Sequence, residues 1–185
     1  KKNGSRKMIR SFDFFFSFVG LIFLSPLLIF IFFIGLLDNG SPIFVQRRVG
    51  YKQKSFFLIK FRTMPVGVKS AGTHLMKNIK LSYFGYFLRR SKIDEILQLM
   101  NVFLGNMSLV GPRPCLFNQR KLISERKKRG VFKVRPGITG LAQISGINMQ
   151  KPRLLAKTDQ KMIKEMNLYN YFYYIIITII KIIRL

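Results

Sequence analysis

From Phe14 to Leu37 the chain reads FFFSFVGLIFLSPLLIFIFFIGLL, a run without a charged residue. As one helix it would measure about 36 Å, against about 30 Å for the hydrocarbon core of a bilayer. It is too long for the core of a signal peptide, and no small-residue cleavage site follows it. Ser25-Pro26 stands at its centre. Pro26 lacks an N–H and crowds the carbonyl one turn back, which predicts a kink or a break. Both flanks are basic, KKNGSRKMIR before the run and QRRVGYKQK after it. Basic residues favour the cytoplasmic side of a membrane. Two arrangements fit: a proline-kinked spanning helix, or a helix that enters, breaks at Ser25-Pro26 and returns to the same face.

Beyond the run, SPIFVQRRVGYKQKSFFLIKFRTM reads as two short strands around a polar turn at Tyr51 to Lys54. Residues 65–80 are loop-like, rich in Gly, Pro and Ser. A helix is predicted from near Ser91 to about Leu104, ended by Gly105. MSLVGPRPCL is interrupted by two prolines and is not helical throughout. Residues 117–129 read as an exposed basic helix, and VRPGITGLAQISG as a turn-rich extended stretch. The tail LYNYFYYIIITIIKIIRL fits a membrane-surface helix or a short buried element. No repeat or low-complexity linker divides the chain, so one domain over 1–185 is expected.

Charge changes the picture. The 185 residues carry 33 Lys plus Arg and 7 Asp plus Glu, a net charge of +26. Such a chain calls for a polyanionic partner: nucleic acid, an anionic membrane surface or a phosphorylated substrate. The aromatics concentrate in residues 12–33 and 169–174, where lipid explains them better than bases do. Cys115 is the sole cysteine, which excludes an internal disulfide and fits a reducing compartment. His74 is the sole histidine, which argues against a His/Cys zinc site and against a Ser-His-Asp triad.

Against this cationic background SKIDEILQLMN holds the one adjacent pair of acids, Asp94 and Glu95. The local pattern reads first as a capping box, with Ser91 as N-cap and Asp94 reaching back from the third helical position. The same geometry admits chemistry. Carboxylates in a first helical turn stay ionised in its positive field, and magnesium prefers one or two carboxylates plus substrate phosphates. A carboxylate can also attack phosphorus to form an acyl phosphate. Complementary cations are Lys60 and Arg62, two apart on the strand KFRTM, and Arg113 and Arg135, each beside proline in GPRP and VRPG. A rigidly presented arginine suits bidentate phosphate recognition. A solvated strand face and simple turns are the alternative readings of those four.

Taken together, RSFD followed by LSP, SPIFVQRRVG, FLIKFRTM, LRRSKIDEILQLMNVFLGNMSLVGPRP and VRPGITGLAQISG resemble the bacterial sugar transferases, or monotopic phosphoglycosyl transferases. The blocks stand in family order and cover nearly the whole chain. The resemblance, to the minimal members, implies an α+β domain, mostly helical and membrane-associated, with a short β-hairpin. It implies a re-entrant membrane helix over 11–37 broken at Ser25-Pro26, a catalytic core over 41–150 and interfacial helices over 151–185. It further implies that Asp94 attacks the β-phosphate of a UDP-sugar and releases UMP, that Glu95 binds magnesium, and that Arg113 contacts phosphate. A polyprenyl (undecaprenyl) phosphate would then take the phosphosugar at the cytoplasmic face of a bacterial inner membrane, initiating glycoconjugate synthesis. Anionic lipids are expected partners, nucleic acid is not, and a homodimer is left open. Ile96 departs from the family's usual proline, which a first helical turn tolerates but does not need. Asp159 matches a family acid, while the following QKMIKEMN is atypical. A direct glycosyl transferase releasing UDP and a nucleic-acid-binding membrane protein are the competing readings.

Overall fold

The computed structural model describes residues 2–67 and 81–184. Of the loop expected at 65–80, all but the first three residues, His74 included, lies outside the described residues.

The apolar run forms a helix, and that helix is much longer than the run: α1 spans Lys2–Asn39. The expected break at Ser25-Pro26 is corrected, because Pro26 lies inside the helix rather than at an end of it. Proline leaves the carbonyl one turn back, that of Ile22, without its N–H partner. The Ser25 hydroxyl donates to that carbonyl at 2.7 Å, so the Ser-Pro pair repairs part of the damage it does.

Both halves of α1 pack on the rest of the protein. Before Pro26, Gly20 lies against Leu99, where a Cβ would come within 3.1 Å of Cδ1. Nearby, the buried Asp13 carboxylate accepts from Ser108 Oγ (3.0 Å), Leu109 N (2.9 Å) and Tyr171 Oη (2.9 Å). After Pro26, Ile31 is buried with Phe61, Leu88 and Leu97. Among the described residues the opposite face has no protein partner: Phe23 is 82% and Leu37 88% exposed. A continuous exposed apolar surface meets lipid or another protein, and α1 is long and apolar enough to cross a membrane.

The hairpin forms as expected. β1 (Ile43–Val49) pairs antiparallel with β2 (Ser55–Phe61), placing Phe44 opposite Lys60. α2 (Tyr83–Arg90) follows, capped by Ser82 Oγ accepting from Gly85 N at 2.9 Å. The single helix predicted from Ser91 to Leu104 is corrected to three pieces. The Ser91 hydroxyl donates back to the carbonyls of Phe87 and Leu88, closing α2 instead of opening a new helix. Lys92 then turns left-handed at φ 61°, Ile93–Glu95 make one tight turn, and α3 covers Gln98–Phe103. Asn101 of α3 accepts from Ile59 N at 3.0 Å and donates to Phe57 O at 2.7 Å, covering the free edge of β2.

β3 (Ser108–Val110) pairs parallel with β4 (Gly137–Thr139). Between them lies α4 (Arg120–Lys128), which is not wholly exposed as its charge suggested: Leu122 and Arg126 are buried. The stretch read as extended after Arg135 also holds a short helix, α5 (Leu141–Ile144). The tail forms α6 (Pro152–Glu165) and α7 (Leu168–Ile183). In α7 Tyr171 and Tyr174 are buried, while Tyr169, Ile176, Ile179 and Ile183 are exposed. The result is the expected α+β class, mostly helical with two small sheets.

The Asp13 hub joins α1, β3 and α7 through one carboxylate. Tyr171→Phe removes one donor from that buried anion and is expected to cost about 1–2 kcal/mol. Thermal unfolding of the detergent-purified protein measures it, and an unchanged midpoint would show the hub to be redundant.

Candidate active site

Asp94 and Glu95 sit in the tight turn between α2 and α3. The capping-box expectation fails here, since the Ser91 side chain is committed to α2. Nor does a long helix begin at the acids to keep them ionised through its dipole. Cations from three other places do that work.

Lys60 comes from β2, with Nζ 3.6 Å from Asp94 Oδ2. The hairpin register aims it by placing the Phe44 ring beneath the ammonium, 5.5 Å away. Arg113 comes from the loop after β3. Its guanidinium holds both oxygens of Glu95, at 2.5 and 3.3 Å. Lys92, immediately before the turn, adds positive field to both acids.

Arg113 owes its place to two glycines. The loops Gly111–Pro114 and Arg135–Gly137 run backbone to backbone, with Gly137 N donating to Pro112 O at 3.0 Å and Ser108 N to Pro136 O at 2.8 Å. A Cβ on Gly137 would fall 1.9 Å from Gly111 N, so only glycine fits.

The two acids differ electrostatically. Asp94 is 3% exposed, and its Oδ1 is buried without a partner. Burial, and then the neighbouring Glu95 charge, push its carboxyl above the ordinary range, against the pull of Lys60, Lys92 and Arg113. Burial also acts to raise Glu95, but the Arg113 charge and its hydrogen bonds, with Lys92 and Lys60, overcome it and hold Glu95 below the ordinary range. Lys60 is pushed down by burial, only partly offset by Asp94 and Glu95.

Two of the four expected phosphate ligands are not brought here. Arg62 donates from Nε to Ser41 O at 2.9 Å and from Nη2 to Ile43 O at 3.3 Å, bracing the α1–β1 junction. Arg135 donates from Nε to Gly105 O at 2.8 Å and lies over Tyr51. Ser25 and Pro26 remain features of α1. Sequence reading missed Arg48, whose Nη1 donates to Pro114 O at 3.1 Å beside Arg113. It also missed the Arg126–Asp159 pair beneath the same loop. The first stands in the QRRVG block and the second at the matching family acid, but neither pattern announces a partner.

For magnesium the dyad offers carboxylates of the hard type the ion prefers, with one oxygen free and both Glu95 oxygens engaged by Arg113. Asp94 Oδ1 is a hard, buried, unpartnered oxygen, and Glu95 is its neighbour in the chain. Among the described residues no three acids, His or Cys converge. An ion held by this dyad would complete its shell with water and phosphate oxygens.

A model of the bacterial sugar transferase family matches residues 4–185. The chain therefore belongs to that family. It is 45% identical over 60% of its length to the sugar transferase EpsL of Bacillus subtilis, of which the match covers 55%. It is 31% identical over 91% of its length to the undecaprenyl-phosphate galactose phosphotransferase of Salmonella typhimurium, covering 39% of that protein. It is 40% identical over 68% of its length to the UDP-glucose:undecaprenyl-phosphate glucose-1-phosphate transferase of Xanthomonas campestris, covering 26% of that one. The chain thus spans between about a quarter and just over half of these relatives.

The asymmetry of the dyad has a consequence for stability. The folded state raises the Asp94 pKa, so its ionisation opposes folding, and stability falls as pH rises from the ordinary carboxylate value through the raised one. Asp94→Asn removes that opposition. It is expected to melt at or above the wild-type temperature at pH 8, with the margin closing toward about pH 4. Glu95→Gln, which breaks the Arg113 pair, is expected to melt lower at pH 8. A lower melting point for Asp94→Asn than for Glu95→Gln would contradict this assignment.

Proposed function

We propose that this protein transfers a sugar 1-phosphate from a UDP-sugar to a polyprenyl phosphate at the cytoplasmic face of the membrane. The observation that carries the reading is a buried, unpartnered carboxylate oxygen, Asp94 Oδ1, set among Lys60, Lys92 and the Arg113–Glu95 pair. An oxygen without a hydrogen-bond partner keeps its lone pairs free for attack. The names of the Salmonella and Xanthomonas relatives supply the donor and acceptor classes.

In the first step an Asp94 carboxylate oxygen attacks the β-phosphorus of the UDP-sugar. The bond from that phosphorus to the bridging oxygen breaks, and UMP leaves with the electron pair. Lys60 and Arg113 balance the negative charge that gathers on the phosphoryl oxygens. In the second step a phosphate oxygen of the polyprenyl phosphate attacks the same phosphorus, and Asp94 departs as a carboxylate. The product is a polyprenyl diphosphate-sugar, the starting lipid of a glycoconjugate. Magnesium bound by Asp94 and Glu95 would screen the phosphate charges during approach.

A cavity beside the dyad supports this choice of acceptor. A cavity of about 540 Å³ lies between α1, α3, α5 and α7, with mostly apolar walls that include Leu24, Leu99, Ile175 and Ile179. Lys92, Glu95 and Arg113 form part of the same wall. One cavity therefore offers apolar surface for an isoprenoid and cations for its phosphate. α1 is read as bending at Pro26 while staying helical, so that both its ends lie on one side of the bilayer; its packing on the same domain before and after Pro26 supports this. The exposed face of α7 would lie in the interface.

Incubation with a UDP-sugar alone is expected to release a stoichiometric burst of UMP and add a phosphosugar mass to the peptide holding Asp94. Asp94→Asn is expected to fold and to lose turnover by several orders of magnitude. Release of UDP instead of UMP would establish direct glycosyl transfer. No UMP until the lipid phosphate is added would establish a one-step transfer without the enzyme adduct.

Activity should also be bell-shaped in pH. The acid limb reports ionisation of Asp94 and lies above the ordinary carboxylate value; the alkaline limb reports loss of the Lys60 proton and lies below the ordinary lysine value. Lys60→Met removes a charge that favours ionised Asp94, so its acid limb should move to higher pH. A limb that stays in place would separate Lys60 from the dyad.

A further inference from the structure

Arg126 of α4 and Asp159 of α6 form a fully buried ion pair, 2% and 0% exposed. Arg126 Nε donates to Asp159 Oδ2 at 2.9 Å, and Nη2 lies 2.8 Å from the same oxygen. Removing two charges from water costs several kcal/mol per ion, and replacing such a pair with apolar residues is often neutral or stabilising. Stability alone is therefore a poor reason to keep it. The pair does one thing that apolar side chains cannot: Arg126 Nη1 donates to the main-chain carbonyl of Arg113 at 2.8 Å.

That carbonyl belongs to the residue whose side chain grips Glu95. We propose that Arg126, oriented by Asp159, is a positioning residue that fixes the Arg113 backbone so that its guanidinium meets Glu95 and the substrate phosphate. The Arg113 side chain is 44% exposed, so packing alone does not immobilise it. Its aim depends on the loop that carries it. That loop is tied at Gly111 by β4, at Pro114 by Arg48, and at Arg113 by Arg126. Asp159 Oδ2 accepts from Nε and lies at ion-pair distance from Nη2, which leaves Nη1 directed at the carbonyl. The catalytic part of this inference rests on the function proposed above.

The test replaces the pair with apolar residues, Arg126→Met with Asp159→Leu, in the full chain. The melting temperature is expected to stay within about 5 °C of wild type. Misplacement of a catalytic group by about 1 Å costs on the order of 100-fold in rate, so UMP release should fall by about that factor with little change in KM for the UDP-sugar. In an Arg113→Ala background the same pair replacement should cost less than about 3-fold, because the group it positions is gone. Equal losses in both backgrounds would assign the pair a purely structural role and overturn the proposal. Should the pair variant fail to fold, Asp159→Asn carries the same cycle, with an expected loss of about 10-fold and the same criterion.

A readout without turnover separates this inference from the proposed function. The side-chain ¹⁵Nε resonance of Arg113, assigned by its disappearance in Arg113→Lys, should show a slowly exchanging, restrained guanidinium in the wild type and an averaged one in either variant. An unchanged resonance overturns the positioning role whether or not the protein turns over. A wild type that releases no UMP from any UDP-sugar, while the resonance changes as expected, overturns the function and leaves the positioning of Arg113 in place.

Discussion

A carboxylate with one oxygen out of water and without a partner is an unfavourable object, and much of the structure is arranged around keeping Asp94 in that state. A buried anion with no nearby cation would take up a proton and lose its nucleophilicity. Lys60, Lys92 and Arg113 supply the opposing charge without a hydrogen bond to Oδ1. Each comes from a different local structure: a strand, a left-handed turn residue and a glycine-stapled loop. The hairpin, the α2–α3 turn and the β3–β4 pair must therefore be assembled together before the site exists.

α1 belongs to this assembly and is more than a tether. Arg10 donates to the carbonyls of Val102 and Phe103 at the end of α3. Asp13 fastens β3 and α7 to the same helix, and Leu24 lines the cavity beside the dyad. Under the function proposed above, an apolar helix so joined to the rest of the domain would bring lipid within reach of Glu95 and Arg113.

The charge of the chain is spent differently from what its total implied. Arg10, Arg48, Arg62, Arg126 and Arg135 all donate to main-chain carbonyls, serving as struts within the fold. A guanidinium with five donors in a fixed fork suits this work. Composition counts these residues together with the cations at the dyad, because charge alone does not distinguish a strut from a ligand.

The sequence by itself determined the elements whose signals are local. These are the apolar helix, the hairpin around Tyr51 to Lys54 and the non-helical GPRP loop. Family-ordered blocks carried the assignment that the family match bears out. What it did not determine was the helix boundary at Ser91, because a serine hydroxyl can open a following helix or close a preceding one, and the choice depends on α2 packing through Leu88. It likewise left Arg62 and Arg135 indistinguishable from Lys60 and Arg113. Direction in space decides among those four, and direction is set by strand register and by the contact of Gly111 with Gly137 between segments far apart in the chain. The tertiary structure alone decided which cations meet the carboxylates, because that electrostatic contact acts over a few ångströms and sequence neighbours do not provide it.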